Sequence, residues 1–366
     1  MRRRHLEGLA PICPVCHTRE GREAPLVIGA VAREAEQHII EGVLHCSHAE
    51  CQREFPILDG IPVIVADLRR YVSDNVLAMV GRRDMTELTE SLLGDCCGPG
   101  STFDQMRQQL SFYSWDHYGD LDPLESVADP RPGSMLRCLD VGRRLAQPIP
   151  SGPVLDVGCS VGRGTFALAE QSSELVLGID LNFAMLRLAA EVLRTGTVRY
   201  PRRRVGVVYD GRQFPAHFTN ADNVDFWACD ATALPFPDKR FSLAVSMNVL
   251  DCVASPIGLL NSIARVLNPD GKGLLTCPYD WSPAATPLES WLGGHSQRSP
   301  SVGASEAVLH ALLAPNAASA PVAGLELIAE QSHVPWHVRL HDRSTMNYLV
   351  HLIVTQPAGP DDRPGA

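Results

Sequence analysis

The sequence predicts an α/β protein built on a doubly wound parallel sheet, with helices on both faces. Between residues 151 and 280, short apolar runs alternate with segments whose apolar residues have helical spacing. The first of these apolar runs ends in a glycine-rich turn. The runs at 175–179 and 224–229 are followed by Asp180 and Asp230. Because ligands bind beyond the carboxyl ends of parallel strands, the same pattern predicts a ligand site at that edge.

The alternation defines each element in turn. The predicted elements are a strand at 153–157, a helix at 165–170, a strand at 175–179, a helix at 183–194, strands at 224–229 and 241–247, a helix at 257–267 and a strand at 273–277. Asn182 is a suitable N-cap for the second helix. Leu259, Leu260 and Ile263 supply the helical spacing of the third.

Length and composition limit the class of protein. The chain has 366 residues and is 45% hydrophobic and 20% charged, which suits one large folded domain plus a small one. The net charge of −10 counts against a surface that binds nucleic acid throughout. No apolar run reaches the ~18–20 residues of a membrane span, and no apolar stretch follows Arg2–Arg4, so we expect a cytoplasmic protein.

Composition also divides the chain into four regions. We expect a small domain at 1–68 with paired cysteines among β-like runs, and a largely helical linker at 69–150 that flanks the active site. The α/β domain should occupy 151–356. The Pro-, Gly- and Asp-rich tail at 357–366 is expected to be disordered.

The glycine-rich turn at 156–164 is the first candidate for a cofactor site. Its small residues allow the backbone to approach a ligand closely and to turn into a helix N-terminus. Asp180 can accept hydrogen bonds from two ribose hydroxyls, and Asp230 from an adenine amino group. A tight turn without a ligand is the alternative. This turn has neither the Gly-x-Gly-x-x-Gly pattern of nicotinamide dehydrogenases nor the Gly-Lys-Ser/Thr of P-loops.

These strand ends, together with the runs 230–241 and 265–273, resemble class I S-adenosylmethionine-dependent methyltransferases. The resemblance implies a Rossmann-like seven-stranded methyltransferase sheet and S-adenosyl-L-methionine as cofactor. One departure is Ser160, which stands where that superfamily usually has a middle glycine. The residues expected to contact the cofactor are Asp156, Gly158, Ser160, Gly162, Asp180, Leu181, Asp230, Ala231 and Asn248.

Two cysteine pairs near the N-terminus predict a metal site. Cys13 and Cys16 form one pair, Cys46 and Cys51 the other, and four thiolates suit tetrahedral zinc. A neighbouring histidine, His17, His45 or His48, is an alternative to one of the thiols. The run 55–65 resembles the Trm112-like zinc ribbon that accompanies many methyltransferases. With four protein ligands the zinc would be structural; the alternative is a metal-free small β-domain.

A second resemblance concerns the methyl acceptor. The segments 112–119, 158–163, 195–200, 277–281, 286–294 and 334–342 resemble, in the same order, the 4-mercaptohistidine N-methyltransferase domain of ovothiol biosynthesis. The resemblance covers about residues 111–353 and implies a small histidine-related acceptor, methylated on nitrogen or sulfur. Two departures are that this sequence contains no sulfoxide-synthase region and that a zinc ribbon is not part of that family's pattern.

Five residues are candidates for the catalytic site. Tyr113 and His117 would close it from the N-terminal flank. Tyr279 and Trp281 follow the fifth strand, where an acceptor ring could stack, and Asp280 could orient an N–H group. Packing in the core or in a lid is the alternative for each aromatic residue. His337 and His341 are further candidates, with hydrogen-bonded strand positions as their alternative.

Two other functions stay open at this stage. In an RNA base methyltransferase, the ribbon and the arginines at 199 and 202–204 would contact phosphates. Cys277 resembles the nucleophile of RNA cytosine methyltransferases, but their second Pro-Cys element is missing here, so we interpret it as structural. In a non-catalytic scaffold, the ribbon would instead dock a protein partner.

Overall fold

The structure, a computed structural model, describes residues 1–126, 130–314 and 324–358. Its N-terminal part contains two short helices and four strands. These are α1 (Arg3–Leu9), α2 (Pro14–Glu20), β1 (Leu26–Ala35), β2 (His38–Cys46), β3 (Glu54–Leu58) and β4 (Ile61–Ile64). Four helices follow: α3 (Leu68–Val80), α4 (Glu87–Cys97), α5 (Thr102–Tyr118) and α6 (Ser134–Leu145).

The α/β part begins at β5 and alternates strands with helices. Its elements are β5 (Val154–Val157), α7 (Arg163–Ala169), β6 (Val176–Asp180), α8 (Phe183–Thr195), β7 (Thr197–Val205), β8 (Val208–Pro215), β9 (Val224–Cys229), β10 (Phe241–Met247), α9 (Pro256–Val266), β11 (Leu267–Cys277), α10 (Ser305–Leu312), β12 (Leu325–His341) and β13 (Ser344–Pro357). All predicted strands and helices of this region are confirmed within a few residues, except that β11 starts six residues earlier than predicted.

Seven of these strands form the predicted doubly wound core in the order β9-β6-β5-β10-β11-β13-β12. The first five run parallel, whereas β13 pairs antiparallel with both β11 and β12. The sheet is therefore mixed. The carboxyl ends of β5, β6, β9, β10 and β11 meet at one edge, where the sequence predicted a ligand site.

The N-terminal strands continue this sheet, so the region 1–68, which we expected to be a small domain, shares its sheet with the α/β part. β4 pairs in parallel with β9, with Val63 opposite Ala228 and Ile64 opposite Cys229. Strands β3, β2 and β1 then extend the sheet by antiparallel pairing to eleven strands. Because β9 would otherwise be an edge strand with unpaired backbone groups, this pairing protects it.

One hydrophobic core spans the junction. Leu44 and Phe55 from the N-terminal strands belong to the same buried cluster as Leu177 and Trp227 from the α/β part. The backbone N–H of Arg2 also donates to a carboxylate oxygen of Asp225 at 2.8 Å, in a fully buried position. The two parts are thus held together by apolar burial as well as by strand pairing.

The stretch between α8 and β9 contains a two-stranded antiparallel hairpin, β7–β8, which the sequence pattern left unassigned. In the part of the chain that the structure describes, no helix has the length and apolar character needed to cross a membrane. Residues 359–366 of the tail predicted to be disordered lie outside the described residues, whereas Pro357 is still the last residue of β13.

Candidate active site

The turn between β5 and α7 has the backbone geometry of a close-approach loop. Gly158, Ser160 and Gly162 all adopt positive φ angles, of 74°, 53° and 91°. A Cβ atom on Gly162 would lie 2.7 Å from the Cβ of Ala189 and 2.7 Å from the ring of Phe226, so only glycine fits there. Ser160 carries the left-handed conformation at a position where glycine would be less strained.

Asp180, at the end of β6, is bound to this turn. Its carboxylate accepts hydrogen bonds from the backbone N–H of Ser160 at 2.9 Å and from that of Asn182 at 2.7 Å. Burial raises the pKa of Asp180, while these backbone donors oppose the rise. Leu181 follows with 44% of its surface exposed, beside the cleft.

Asp230 lies at the end of the neighbouring strand. Asp180 is opposite Ala228 in the parallel pairing, which places Asp180 and Asp230 at the same edge of the sheet. The carboxylate of Asp230 accepts from the N–H of Thr232 at 2.8 Å and from its hydroxyl at 2.7 Å, and Ala231 begins the following turn. The structure therefore brings the two predicted carboxylates together with the glycine-rich turn.

A cavity of about 250 Å³ extends from this turn toward β12 and β13. It is lined by Phe112, Tyr113, Asp116, His117, Met135, Leu139, Asp156, Gly158, Cys159, Ser160, Gly164, Leu168, Val245, Met247, Asn248, Asp251, Cys252, Pro278, Asp280, Trp336, Val338, Leu340, Met346 and Tyr348. Of the predicted cofactor residues, Gly162, Asp180, Leu181, Asp230 and Ala231 are not among those that line the cavity. A cofactor held by all of them would extend from the cleft into the cavity.

The floor of the cavity contains Asp156 and Asn248. Asp156 accepts a hydrogen bond from the hydroxyl of Thr165 at 2.7 Å, and burial raises its pKa to about 7. Asn248, at the end of β10, has a φ of 55°, and its side-chain oxygen accepts from the hydroxyl of Thr276 at 2.7 Å. Both side chains are thus held rigidly next to the turn.

Helix α5 supplies one wall with Tyr113, Asp116 and His117, of which the sequence predicted the first and the last. The buried Asp116 accepts from the backbone N–H groups of residues 133–135 and so caps the start of α6. The Nδ1 atom of His117 accepts from the backbone N–H of Arg163 at 3.3 Å. Burial, together with the nearby charge of Arg163, lowers the pKa of His117 to about 3, so the imidazole is neutral.

The opposite wall contains a hydrogen-bonded set that the sequence identified only in part. The hydroxyl of Tyr348 donates to Asp280 at 2.8 Å, and the backbone N–H of Asp280 donates to the carboxylate of Asp251 at 2.7 Å. Asp280 was predicted, whereas Asp251 and Tyr348 were missed. The position of Asp251, four residues beyond the last residue of β10, could have marked it as a site residue, because it follows a strand end. Tyr348 lies within β13, and no pattern in the sequence marked it as a site residue.

Tyr279 and Trp281 are not among the residues that line the cavity, so their role in stacking an acceptor stays a prediction. The Tyr279 hydroxyl lies 2.7 Å from the Nδ1 of His351. The ring of Trp281 stacks on Trp291 at a centroid distance of 6.0 Å, and its N–H donates to Ser305. His337 bonds to Asn347, and His341 accepts from the backbone N–H of Arg343.

The four predicted cysteines come together within the N-terminal part. The thiol sulfurs of Cys13, Cys16, Cys46 and Cys51 all lie within 4.8 Å of one another. The Sγ atoms of Cys16 and Cys46 are 3.7 Å apart and those of Cys13 and Cys51 3.9 Å apart, which is a spacing of metal ligands and not of a disulfide. Their chemistry fits a closed tetrahedral zinc site.

Comparison with known proteins agrees with the α/β architecture. Residues 155–275 match the family described as "Methyltransferase domain". Phosphoethanolamine N-methyltransferase 1 of Arabidopsis thaliana is 28% identical over 37% of this chain and 23% of its own length. The ubiquinone biosynthesis O-methyltransferase of Histophilus somni is 28% identical over 43% of this chain and 55% of its own length. The chain thus spans less than a quarter of the Arabidopsis relative and about half of the bacterial one.

Two solved structures resemble parts of the fold at low identity. Haemonchus contortus phosphoethanolamine N-methyltransferase 2 in complex with S-adenosyl-L-methionine is 23% identical, with a TM-score of 0.30, over 39% of this chain and 28% of that one. The YcgJ protein from Bacillus subtilis is 15% identical, with a TM-score of 0.38, over 63% of this chain and all of that one. Over residues 155–275 the chain is thus similar to the methyltransferase-domain family, and these residues include the parallel strands of the sheet described above.

Proposed function

We propose that this protein is an S-adenosyl-L-methionine-dependent methyltransferase that methylates a nitrogen, or a sulfur, of a small histidine-related acceptor. The observation that carries the proposal is the single cavity that runs from the glycine-rich turn to the Asp280–Tyr348 pair. Such a cavity can hold the sulfonium end of the cofactor and a small acceptor side by side, as an in-line displacement requires.

The residues around the turn fit the cofactor. The left-handed turn allows the backbone to approach it closely, and Asp180 and Asp230 lie at the ends of neighbouring parallel strands, at the same edge of the sheet. Asp180 and Leu181 would contact the ribose side, Asp230 and Ala231 the adenine, and Asp156, Gly158, Ser160, Gly162 and Asn248 the amino-acid end. When bound, the cofactor supplies an electrophilic methyl group.

The charges around the cavity favour a neutral or cationic acceptor. Four aspartates, at 116, 156, 251 and 280, line it, and the described lining residues include neither lysine nor arginine. A phosphomonoester of the kind named in the phosphoethanolamine methyltransferases would find no cationic partner there. An imidazole ring, with one N–H donor and one lone pair, matches the carboxylates better.

The side chains can orient such an acceptor without acting as strong bases. A neutral imidazole nitrogen already has the lone pair that attacks the methyl group, because its ordinary pKa is ~6.5. Asp280, held by Tyr348, can accept the ring N–H and stabilise the positive charge that develops during transfer. Neutral His117 and Tyr113 close the α5 side and exclude water.

The arginine cluster gives little support to the RNA alternative. Arg199 donates to backbone oxygens of residues 83 and 85 and to Glu90. Arg202 is paired with Glu125 and Asp342, and Arg204 with Asp210. Since these guanidinium groups already have partners, they are less available for phosphates than the sequence pattern suggested. Buried Cys277, whose pKa is raised by burial, suits the structural interpretation.

We also infer that the four cysteines hold a structural zinc ion in a Trm112-like ribbon. Three of the sulfurs belong to buried residues, and unpaired thiols at this spacing are best explained by a shared metal. With four protein ligands the ion has no open position, so its contribution is to folding.

The test is transfer of labelled methyl groups from S-adenosyl-L-methionine into three separate pools: a panel of histidine thiols, a small-molecule extract and RNA. We expect label in a small molecule, which mass spectrometry then identifies. Label in RNA would overturn the acceptor assignment, and cofactor binding without turnover in every pool would favour a scaffold.

The variant Asp280→Asn connects this activity to the cavity. It keeps the size of the side chain but weakens acceptance of a ring N–H, so we expect kcat/KM for the acceptor to fall by about 10- to 100-fold with cofactor affinity unchanged. Asp270→Ala, an exposed aspartate in β11, is the matched control. Equal activity in both variants would place the acceptor elsewhere.

A further inference from the structure

A second group of metal-ligating side chains lies outside the cavity, where α10 packs over β12 and β13. His310 is on α10, Glu330 on β12 and His351 on β13. The Nε2 atoms of both histidines point at the same carboxylate oxygen of Glu330, at 2.6 Å from His310 and 3.0 Å from His351. The three donor atoms therefore converge on one point from three different elements.

The spacing suits a small divalent ion. Zinc binds imidazole nitrogen and carboxylate oxygen at about 2.0–2.1 Å, which puts tetrahedral ligand atoms about 3.3 Å apart. The observed separations of 2.6 and 3.0 Å are about 0.7 and 0.3 Å shorter than this, so rotations of the side chains must open the required space. Two nitrogens and one oxygen favour a transition ion over calcium or magnesium, which prefer oxygen ligands.

The surroundings of His351 supply an independent observation. Its side chain is buried, and its second ring nitrogen, Nδ1, lies 2.7 Å from the hydroxyl of Tyr279 and 3.8 Å from a carboxylate oxygen of Glu306. Glu306 is itself held by the hydroxyl of Ser332 at 2.7 Å. Metal-binding histidines commonly have such a partner on the other nitrogen, which fixes the ring and its tautomer.

We propose that His310, Glu330 and His351 form a second metal site, which binds a divalent transition ion of the zinc class. Three protein ligands leave a fourth position for water. The bound ion ties α10 to the last two strands. Through His351 and Tyr279 it also fixes the loop after β11, whose residues Pro278 and Asp280 line the cavity.

The experiment counts metal in the full chain. Protein stripped with a chelator is reloaded with about two equivalents of Co²⁺ or Zn²⁺ per chain, one for each proposed site, and bound metal is measured after dialysis for the wild type, His310→Gln and Glu330→Gln. His333→Gln is the control, because it removes an exposed imidazole from the same strand as Glu330 and leaves the three ligands in place. Cobalt absorption separates the two sites, since only thiolate ligands give strong near-ultraviolet charge-transfer bands.

We expect the wild type and His333→Gln to bind about one ion per chain more than His310→Gln and Glu330→Gln, with the thiolate bands the same in all four proteins. Equal metal content in all four proteins would overturn the proposal. The difference is independent of the cysteine site and of methyl transfer: if the cysteines bind no metal, the wild type still exceeds His310→Gln by one ion.

A second readout tests the partner of His351. Tyr279→Phe removes the hydroxyl but not the ligands, so Zn²⁺ affinity should fall by about 10- to 100-fold while the stoichiometry stays the same. Unchanged affinity in Tyr279→Phe together with unchanged stoichiometry in His310→Gln would leave only a hydrogen-bonded network.

Discussion

At the scale of single residues, the candidate site is built from buried polar groups whose protonation is set by their surroundings. His117 is kept neutral by burial and by Arg163, whereas burial raises the pKa of Asp156 and Asp251. Each of these carboxylates also has a hydrogen-bond donor that holds its orientation. A rigid site of this kind positions a cofactor and an acceptor without reorganisation.

Asp180→Ala is expected to weaken binding of S-adenosyl-L-methionine by at least about 100-fold. The reason is the loss of two charge-assisted hydrogen bonds from the ribose hydroxyls to the carboxylate, of ~1.5–3 kcal/mol each. Titration calorimetry measures the affinity, and circular dichroism confirms that the fold is retained. Asp180→Asn keeps one acceptor oxygen for the backbone N–H of Ser160 or Asn182, so its cofactor affinity should lie between those of the wild type and Asp180→Ala. If a folded Asp180→Ala protein bound the cofactor with wild-type affinity, Asp180 would not be part of the cofactor site.

His117 predicts a defined acid sensitivity. Its pKa in the folded protein is about 3, below the 6.5 of an unfolded chain, so between these values only the unfolded state takes up the proton. Its contribution to stability is complete above pH 6.5 and falls as the pH falls, by about 2 kcal/mol between pH 7 and pH 5.

Asp156 has the opposite sign, because its raised pKa makes the folded state bind the proton first. The measurement is therefore the difference in unfolding free energy between the wild type and His117→Gln at each pH, in which the contribution of Asp156 cancels. We expect this difference to shift by about 2 kcal/mol against the wild type from pH 7 to pH 5. If the difference in unfolding free energy did not vary with pH, the pKa of His117 would be the same in the folded and unfolded states.

The role of a single residue was predictable from the sequence where its neighbours along the chain determine that role. The turn at 156–164 and the strand-end aspartates were predictable, because strand ends and glycines are local features. The absence of Tyr279 and Trp281 from the cavity lining was not predictable, because a position beyond a strand end does not fix where the side chain points. Tyr279 adopts a φ of 57°, and its hydroxyl meets His351 instead of the cavity.

At the scale of elements, the hairpin β7–β8 is held to the rest of the chain by ion pairs. The guanidinium of Arg202 donates to both carboxylate oxygens of Glu125, at 2.6 and 2.8 Å, and to Asp342 at 2.8 Å. The side chains of Arg202 and Glu125 are only 13% and 5% exposed. The hairpin was not predictable from periodicity, because buried and exposed residues alternate only weakly along its two strands. The ion-pair partners of Arg202 are distant in sequence and gave no local signal.

Arg202→Ala should lower the free energy of unfolding by about 3–5 kcal/mol, because it leaves the carboxylate of Glu125 buried without its partner. Arg204→Ala is the matched control. It removes an arginine from the same strand that is 55% exposed and paired with Asp210, and should cost less than about 1 kcal/mol. Denaturant unfolding of both variants tests this, and equal losses would show that the Glu125 pair contributes no more than a surface pair.

At the scale of the whole molecule, the sequence predicted both parts of the chain but not how they join. The strand and helix periods that define the α/β part are local, and so is the spacing of the cysteine pairs. The pairing of β4 with β9 is not, since it joins residues 63–64 to 228–229 and depends on an exposed edge that no sequence pattern marks. The domain boundary near residue 68 therefore stays a prediction from composition, and the hydrophobic core contains residues from both sides of it.

This shared core predicts how the protein unfolds when the zinc ion proposed for the four cysteines is removed. Because β4 is a strand of the main sheet and Phe55 packs in the same cluster as Trp227, losing the metal should destabilise the whole chain and not only the ribbon. Calorimetry should show one transition for the metal-loaded protein, and that same transition at lower temperature after chelation or in Cys16→Ser. Cys96→Ser, which alters an exposed thiol on α4, should leave it in place. Two separate transitions, of which chelation shifts only the smaller, would mean that the N-terminal strands fold independently and that the pairing of β4 with β9 adds little to their stability.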